Sequence, residues 1–179
     1  MESRDQGQVD ARPDENERPI DAAALTRSAT AGAVAGIVAT LAMSVVMLPA
    51  QWLGLLGTEP PRRISDRIFN ATGSGARAPE AHRRVGTALI HLGIGSVGGA
   101  LFGIGRLLSR RRGRAPIVGL GFGSALWGVN YIVAAPMLKL FQPPWDDRPG
   151  RPPVMLAANA LYGVITAVLV ERHGSRPDR

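Results

Sequence analysis

Four long stretches of the chain contain no aspartate, glutamate, lysine or arginine, and this pattern constrains the fold more than any other feature. They are rich in alanine, glycine, valine and leucine, and they cover residues 28–58, 85–105, 115–138 and 152–170. A helix needs about 20 predominantly apolar residues to cross a hydrocarbon core about 30 Å thick. Each stretch is long enough. The sequence therefore predicts an all-α integral membrane protein whose four spanning helices form a bundle.

Charged residues and prolines place the limits of the predicted spans. We expect the spans at about residues 29–49, 85–105, 116–137 and 153–170. Residues 1–27 are acidic, polar and broken by prolines. Such a segment buries too little apolar surface to offset its ordering entropy, so it is predicted to be a disordered tail. The four-span domain then covers residues 28–172, and residues 173–179 form a charged C-terminal tail.

A run of arginines lies in the short gap between the second and third spans. It consists of Arg110, Arg111, Arg112 and Arg114, in a chain of net charge +7. The run is short, lacks interleaved aromatic residues and is held between two spans, so we expect no nucleic-acid partner. Positively charged residues hold short loops on the cytoplasmic side of a membrane. With an even number of spans, both termini are predicted to be cytoplasmic.

Small residues recur four positions apart within the spans. The segment GIGSVG at 93–98 fits the dinucleotide-binding pattern, but no strand precedes it and no acidic residue follows about 20 positions on. Close helix packing is the better interpretation, because backbone approach at small residues drives helix association in lipid. The residues predicted to pack in this way are Gly32, Gly36, Gly95, Gly99, Gly103, Gly119 and Gly123.

The two halves of the chain share a spacing. The glycines of the first and third spans lie the same distance before Pro49 and Pro136. In the second and fourth spans, His91 and Asn159 each precede a glycine by four residues. The sequence therefore predicts two parallel helix–loop–helix repeats, with His91 and Asn159 at equivalent positions and similar depth.

A few polar side chains lie inside the spans, and they are the candidate functional residues. They are His91, Asn130, Asn159 and Tyr162, together with Tyr131. Intramembrane polar groups often mark function because lipid exposure is costly. The alternative is that they hydrogen-bond between helices, at about 1 kcal/mol each. The spans hold no charged residue, nucleophile–base pair or metal-binding cluster, and the chain has no cysteine. We therefore expect neither enzymatic activity nor a metal or other cofactor.

Five segments carry a resemblance to a known family. They are AGAVAGIVATLAM in the first span, EPPRRISDRIF after it, HLGIGSVGGALFG in the second, LWGVNYIVAAPML in the third and NALYGVITAVLV in the fourth. Across residues 28–172 the chain resembles the YagU-type family of small bacterial inner-membrane proteins of uncharacterised function. The resemblance implies a multi-pass protein of the inner membrane and carries over no catalytic residue.

Two functions fit these features. The first is a non-enzymatic accessory or stress-related membrane component, which lies in the lipid bilayer and associates with a second copy or another membrane protein. The alternative is a small transporter or channel with a polar path near His91, Asn130 and Asn159.

Overall fold

The structure is a computed structural model, and it describes residues 21–56, 79–109, 114–137 and 142–174. The four main helices are α1 (Ala22–Trp52), α2 (Glu80–Leu108), α3 (Ala115–Gly128) and α4 (Arg151–Gly174). Helix α3 continues directly as a π-helix, Val129–Ala134, and a last turn, Ala135–Met137. Four helical segments are long and apolar enough to cross a membrane. The prediction of an all-α, four-span membrane protein is confirmed.

The helices extend beyond the predicted spans. The Asp21 side chain caps α1 by accepting a hydrogen bond from the Ala24 amide at 2.6 Å. Helix α1 therefore begins within the predicted tail, of which residues 1–20 lie outside the described part of the chain. Pro49, where the first predicted span ends, lies inside α1, which continues to Trp52. Helix α4 likewise runs past the predicted domain limit at residue 172. Charge-free composition marks the lipid-embedded part of a helix, whereas the hydrogen-bonded helix continues into charged residues.

The bundle consists of two antiparallel helix pairs. Helix α1 packs along α2, and α3 packs along α4, while α1 and α4 also contact each other and join the two pairs. We call the end where α1 begins and α4 ends the terminal end. The opposite end, where both pairs make their connections, is the loop end.

The interior holds small and medium-sized residues, while large apolar side chains cover the outside. The main core lies between α1 and α4 and contains Ala39, Met43, Met47, Leu56, Ala158 and Tyr162. A second core near the terminal end joins Phe102 of α2 to α3 and α4, and the rings of Phe102 and Phe122 are 4.9 Å apart. Val45, Leu101 and Ile117 are more than 60% exposed. A bundle that leaves such residues outside presents an apolar surface to lipid.

Candidate functional site

The two helices of the first pair touch through glycines. A Cβ atom placed on Gly99 would lie 2.8 Å from the backbone N and Cα of Gly36, and closer still to the carbonyl oxygen of Gly32. Real Cβ atoms essentially never approach other atoms within 3.0 Å. A Cβ on Gly103 of α2 would lie similarly close to the carbonyl oxygen of Ser28, whereas a Cβ on Gly95 would clash with the Thr40 side chain. Only glycine therefore permits the observed approach of α1 and α2.

The second pair repeats this crossing. A Cβ atom on Gly163 would lie 2.7 Å from the backbone N of Gly123 and closer to the carbonyl oxygen of Gly119. Gly163 therefore approaches Gly119 and Gly123 of α3 in the same way as Gly99 approaches Gly32 and Gly36 of α1. The crossings in the two helix pairs have the geometry expected of two repeats.

The register of this repeat differs from the predicted one. The predicted repeat paired Gly163 with Gly95. In the structure, the contacts that Gly163 makes with the facing helix match those of Gly99, so Gly163 is equivalent to Gly99. Asn159 then corresponds to Gly95, and His91 lies one helical turn, about 5.4 Å, from the position equivalent to Asn159. The predicted equivalence of His91 and Asn159 is wrong by this turn. Small residues recur every four positions in α2, so the sequence pattern fits both registers.

Tyr162 connects the two helix pairs through a buried hydrogen bond. Its hydroxyl donates to the carbonyl oxygen of Gly95 at 2.6 Å, and the residue is only 3% exposed. A Cβ on Gly98 would lie 2.9 Å from the same hydroxyl, so this glycine leaves room for the tyrosine. Of the predicted polar residues, Tyr162 is the one that links α4 to α2 by a direct hydrogen bond.

Three further predicted polar residues, His91, Asn130 and Asn159, do not share one environment. Asn159 is half-buried and donates to the carbonyl oxygen of Met155, one turn earlier in its own helix, at 2.8 Å. His91 is half-buried on α2. Asn130 lies in the π-helix and is exposed on the outside of the bundle. A common interior path through His91, Asn130 and Asn159 is therefore not formed in this conformation.

A buried ionic cluster at the loop end was not predicted. Arg151 is 5% exposed, and its side-chain Nε donates to the carbonyl oxygen of Leu56 at 2.6 Å. Its Nη1 pairs with both carboxylate oxygens of Asp147, at 3.0 and 3.1 Å. The hydroxyl of Tyr131 donates to the same carboxylate. We call Leu56, Tyr131, Asp147 and Arg151 the loop-end cluster.

The π-helix brings Tyr131 into this cluster. A π-turn holds one more residue than an α-turn, and short π segments within α-helices occur frequently at functional sites. Tyr131 lies inside the π segment, is 3% exposed and stacks on Trp127, with ring centroids 5.7 Å apart. The segment thus directs Tyr131 inward while its neighbour Asn130 remains exposed.

The loop-end cluster keeps Asp147 ionised. Burial alone would raise the pKa of this carboxyl group. Hydrogen bonds from the Tyr131 hydroxyl and the Arg148 amide, together with the charge and hydrogen bonds of Arg151, outweigh burial and lower the pKa below its ordinary value. Charge-assisted hydrogen bonds to a carboxylate are the strongest kind available here. Among the described residues, the cluster pairs one carboxylate with one guanidinium, and it ties together the segment after α1, the π-helix and the start of α4.

The terminal end carries a weaker ionic contact. Arg106 of α2 lies 3.9 Å from the Glu171 carboxylate of α4, and the glutamate side chain is half-exposed. Of the predicted topology arginines, Arg114 is exposed at the start of α3, and Arg110, Arg111 and Arg112 lie outside the described residues. Among the residues described, no group of three or more histidine, aspartate or glutamate side chains is placed to hold a metal ion.

Comparison with known proteins gives one result. Residues 26–179, which include all four spans, match the family of unknown function DUF6789. No curated protein and no solved structure matches the chain. The resemblance to the YagU-type family remains a prediction, since this match contains no link to it. A match over most of the chain places this multi-pass membrane protein in the DUF6789 family of unknown function.

Proposed function

We propose that this protein is a non-enzymatic accessory or stress-related component of the bacterial inner membrane. It acts by associating with a second copy of itself or with another membrane protein. The contacts of the polar groups inside the bundle are the observation that carries this proposal. The Tyr162 hydroxyl is bonded to Gly95 of the other helix pair, and the Asn159 amide is bonded within its own helix. The first hydrogen bond joins the two helix pairs, and the second occupies the Asn159 amide within α4.

The outside of the bundle has small-residue positions at which another helix can pack. A Cβ placed on Gly93, Gly105 or Gly121 meets no atom within 4 Å. Glycine weakens a helix by about 1 kcal/mol relative to alanine. Small residues on a lipid-facing surface also permit close contact with another helix. Substitution of these three glycines by a larger residue therefore tests association without a steric clash inside the bundle.

The test is a search for partners with matched surface variants. The protein is purified in native-lipid particles, and co-purifying proteins are identified by mass spectrometry. Gly93→Leu, Gly105→Leu and Gly121→Leu are then compared with the wild type. We expect a specific partner or a stable homo-oligomer, and we expect at least one of the three variants to lose it without losing thermal stability. Each variant serves as a control for the others, because they lie on different parts of α2 and α3.

The transporter alternative has a distinct outcome. A protein that purifies without a specific partner, whose reconstituted vesicles pass a solute and whose flux is abolished by His91→Leu, would contradict the accessory role. Such a flux would require the bundle to open, because Asn130 is outside it in the conformation described. No flux together with a partner that the surface variants remove supports association.

The proposed topology places both termini in the cytoplasm. Reporter fusions at Gly113 and at the C-terminus should indicate the cytoplasm, and a fusion at Ser74 should indicate the opposite side. The reason is the dense arginine run between α2 and α3, since positively charged short loops stay cytoplasmic. A cytoplasmic reporter at Ser74 would contradict this orientation. Replacing the four arginines of the run by glutamine should weaken the preference.

A further inference from the structure

Each of the four helices carries an arginine at the terminal end of the bundle. They are Arg27 of α1, Arg106 of α2, Arg114 directly before α3, and Arg172 of α4. Arg27, Arg114 and Arg172 are exposed, whereas the Arg106 side chain is mostly buried beside Glu171. We call these four residues the terminal-end arginines.

In the first helix pair, Arg27 and Arg106 lie at the same level of the bundle. A Cβ on Gly103 would meet the carbonyl oxygen of Ser28, so these two residues face each other across the pair. Arg27 is the neighbour of Ser28, and Arg106 follows Gly103 by three residues, which is less than one turn. Both arginines therefore lie within one helical turn of the same contact.

The second pair brings its own two arginines to one level in the same way. A Cβ on Gly119 would lie 2.7 Å from the Cβ of Ala167. Arg114 precedes Gly119 by five residues, and Arg172 follows Ala167 by five. At 1.5 Å per residue, both arginines lie about 7.5 Å beyond this contact, towards the terminal end.

Positive charge at the terminal end exceeds the acidic charge that the structure describes there. Arg106 lies 3.9 Å from the Glu171 carboxylate, which joins the two pairs at this level, and Asp21 caps α1. These two described acids face four arginines. Helix stability does not explain Arg114, because a cation at a helix N-terminus opposes the macrodipole and its side chain makes no capping hydrogen bond. The surplus charge favours an anionic partner.

Exposed apolar side chains follow the terminal-end arginines on the side of the membrane. Leu101 and Ile117 are more than 60% exposed, and they lie within two turns of Arg106 and Arg114 respectively. Arginine extends its charged group to the headgroup level while its stem stays on apolar surface. This end of the bundle therefore offers cationic groups for a phosphate and an apolar surface for acyl chains. A soluble anion would use the first of these only.

We propose that the terminal-end arginines bind the headgroups of anionic phospholipids. The exposed guanidinium groups of Arg27, Arg114 and Arg172 donate to phosphate oxygens, and Arg106 adds positive charge beside them. The planar guanidinium matches a phosphate with two parallel hydrogen bonds. Each basic residue near an anionic membrane surface strengthens binding about fivefold. This inference concerns a lipid partner, so it goes beyond the accessory role, and it does not depend on which side of the membrane the terminal end faces.

Lipid titration of the purified full-length protein tests this proposal. The protein is held in an uncharged detergent and titrated with phosphatidylglycerol or with phosphatidylcholine of identical acyl chains. Native mass spectrometry counts the bound lipids, and a third titration adds inorganic phosphate as a competitor. We expect phosphatidylglycerol to bind more tightly than phosphatidylcholine, and its binding to weaken as the salt concentration rises. Inorganic phosphate should not displace it.

Two matched double variants locate the binding. Arg114→Gln/Arg172→Gln removes two exposed arginines of the terminal end, and Arg84→Gln/Arg148→Gln removes two exposed arginines of the loop end. We expect the first variant to bind phosphatidylglycerol about 25-fold more weakly, at about fivefold for each arginine. The second variant has the same net charge and should bind this lipid as the wild type does. Circular dichroism checks that both variants keep their helices.

Three outcomes would overturn the proposal. Equal weakening by the two double variants would mean that net charge, and not the terminal end, decides lipid binding. Equal affinity of the wild type for the two lipids would mean that the arginines orient the protein without binding a headgroup. Displacement of the lipid by inorganic phosphate would mean a site for a soluble anion. The comparison of the two lipids uses the wild type, so it tests the proposal even if a variant fails to fold.

Discussion

Gly99→Leu is expected to separate α1 from α2 and to lower the stability of the bundle severely. The first side-chain carbon would already lie 2.8 Å from the N and Cα of Gly36. Both atoms belong to a helix backbone, so they cannot move aside as a flexible side chain can. Overpacking typically costs about 1–3 kcal/mol and occasionally more, and a clash with backbone belongs at the upper end. Thermal unfolding in detergent, followed by circular dichroism, measures the effect.

Gly105→Leu is the matched control for this variant. It lies on the same helix six positions later, and a Cβ there meets no atom within 4 Å. Both substitutions gain up to about 1 kcal/mol of helix propensity, so propensity alone would stabilise both variants. Gly99→Ala should fall between the wild type and Gly99→Leu. An unchanged unfolding temperature for Gly99→Leu would show that α1 and α2 do not approach each other at this glycine.

The number of spans and their order are the features of the fold that could be predicted from the sequence. A charge-free stretch of about 20 residues has few alternatives to a membrane span, and four such stretches gave four helices. The residues at which the helices begin and end were harder to predict from the sequence. The start of α1 at Ala22 is marked by the hydrogen bond that the Asp21 side chain accepts, whereas the charge-free stretch begins only after Arg27, which already lies inside the helix. Composition marks the part of a helix that lipid surrounds, and capping decides where the helix begins.

The register between helices could not be predicted for a related reason. A small residue every four positions gives a helix surface that matches itself after a shift of one turn. Which turn faces its partner depends on neighbouring shapes, such as Thr40, whose hydroxyl bonds to the Gly36 carbonyl oxygen beside Gly95. The predicted match of Gly163 with Gly95 instead of Gly99 is an error of this kind.

The loop-end cluster was missed because its members are far apart in the sequence. Asp147 lies in a proline-rich connection that resembles an ordinary solvated loop, and Arg151 stands just outside the charge-free stretch. The signal that was available is the spacing of Asp147 and Arg151, four positions apart at the start of a span. Such a pair is common on exposed helix surfaces, where it contributes only a few tenths of a kcal/mol. Its burial depends on Tyr131 and Leu56, which the fold supplies.

Arg151→Met is expected to destabilise the protein more than any other single change at the loop end. The substitution keeps a long side chain but leaves the Asp147 carboxylate without its counter-ion. Removing one partner of a buried ion pair costs ~3–5 kcal/mol, because the remaining charge is buried and unpaired. The comparison is Arg148→Met, since Arg148 is an exposed neighbour whose backbone amide, not its side chain, bonds to Asp147. Unfolding by denaturant at neutral pH measures both variants.

The double variant Arg151→Met/Asp147→Leu separates the loss of a contact from the presence of an unpaired charge. Replacing a whole buried ion pair by apolar residues is often neutral, so the double variant should regain most of the stability lost by Arg151→Met. The deficit of Arg151→Met should also shrink in acid, because protonation of Asp147 removes the unpaired buried charge of the variant and weakens the ion pair of the wild type. A double variant as unstable as Arg151→Met would mean that Arg151 acts mainly through its bond to the Leu56 carbonyl. In that case the guanidinium stabilises the loop end as a hydrogen-bond donor, and its charge contributes little.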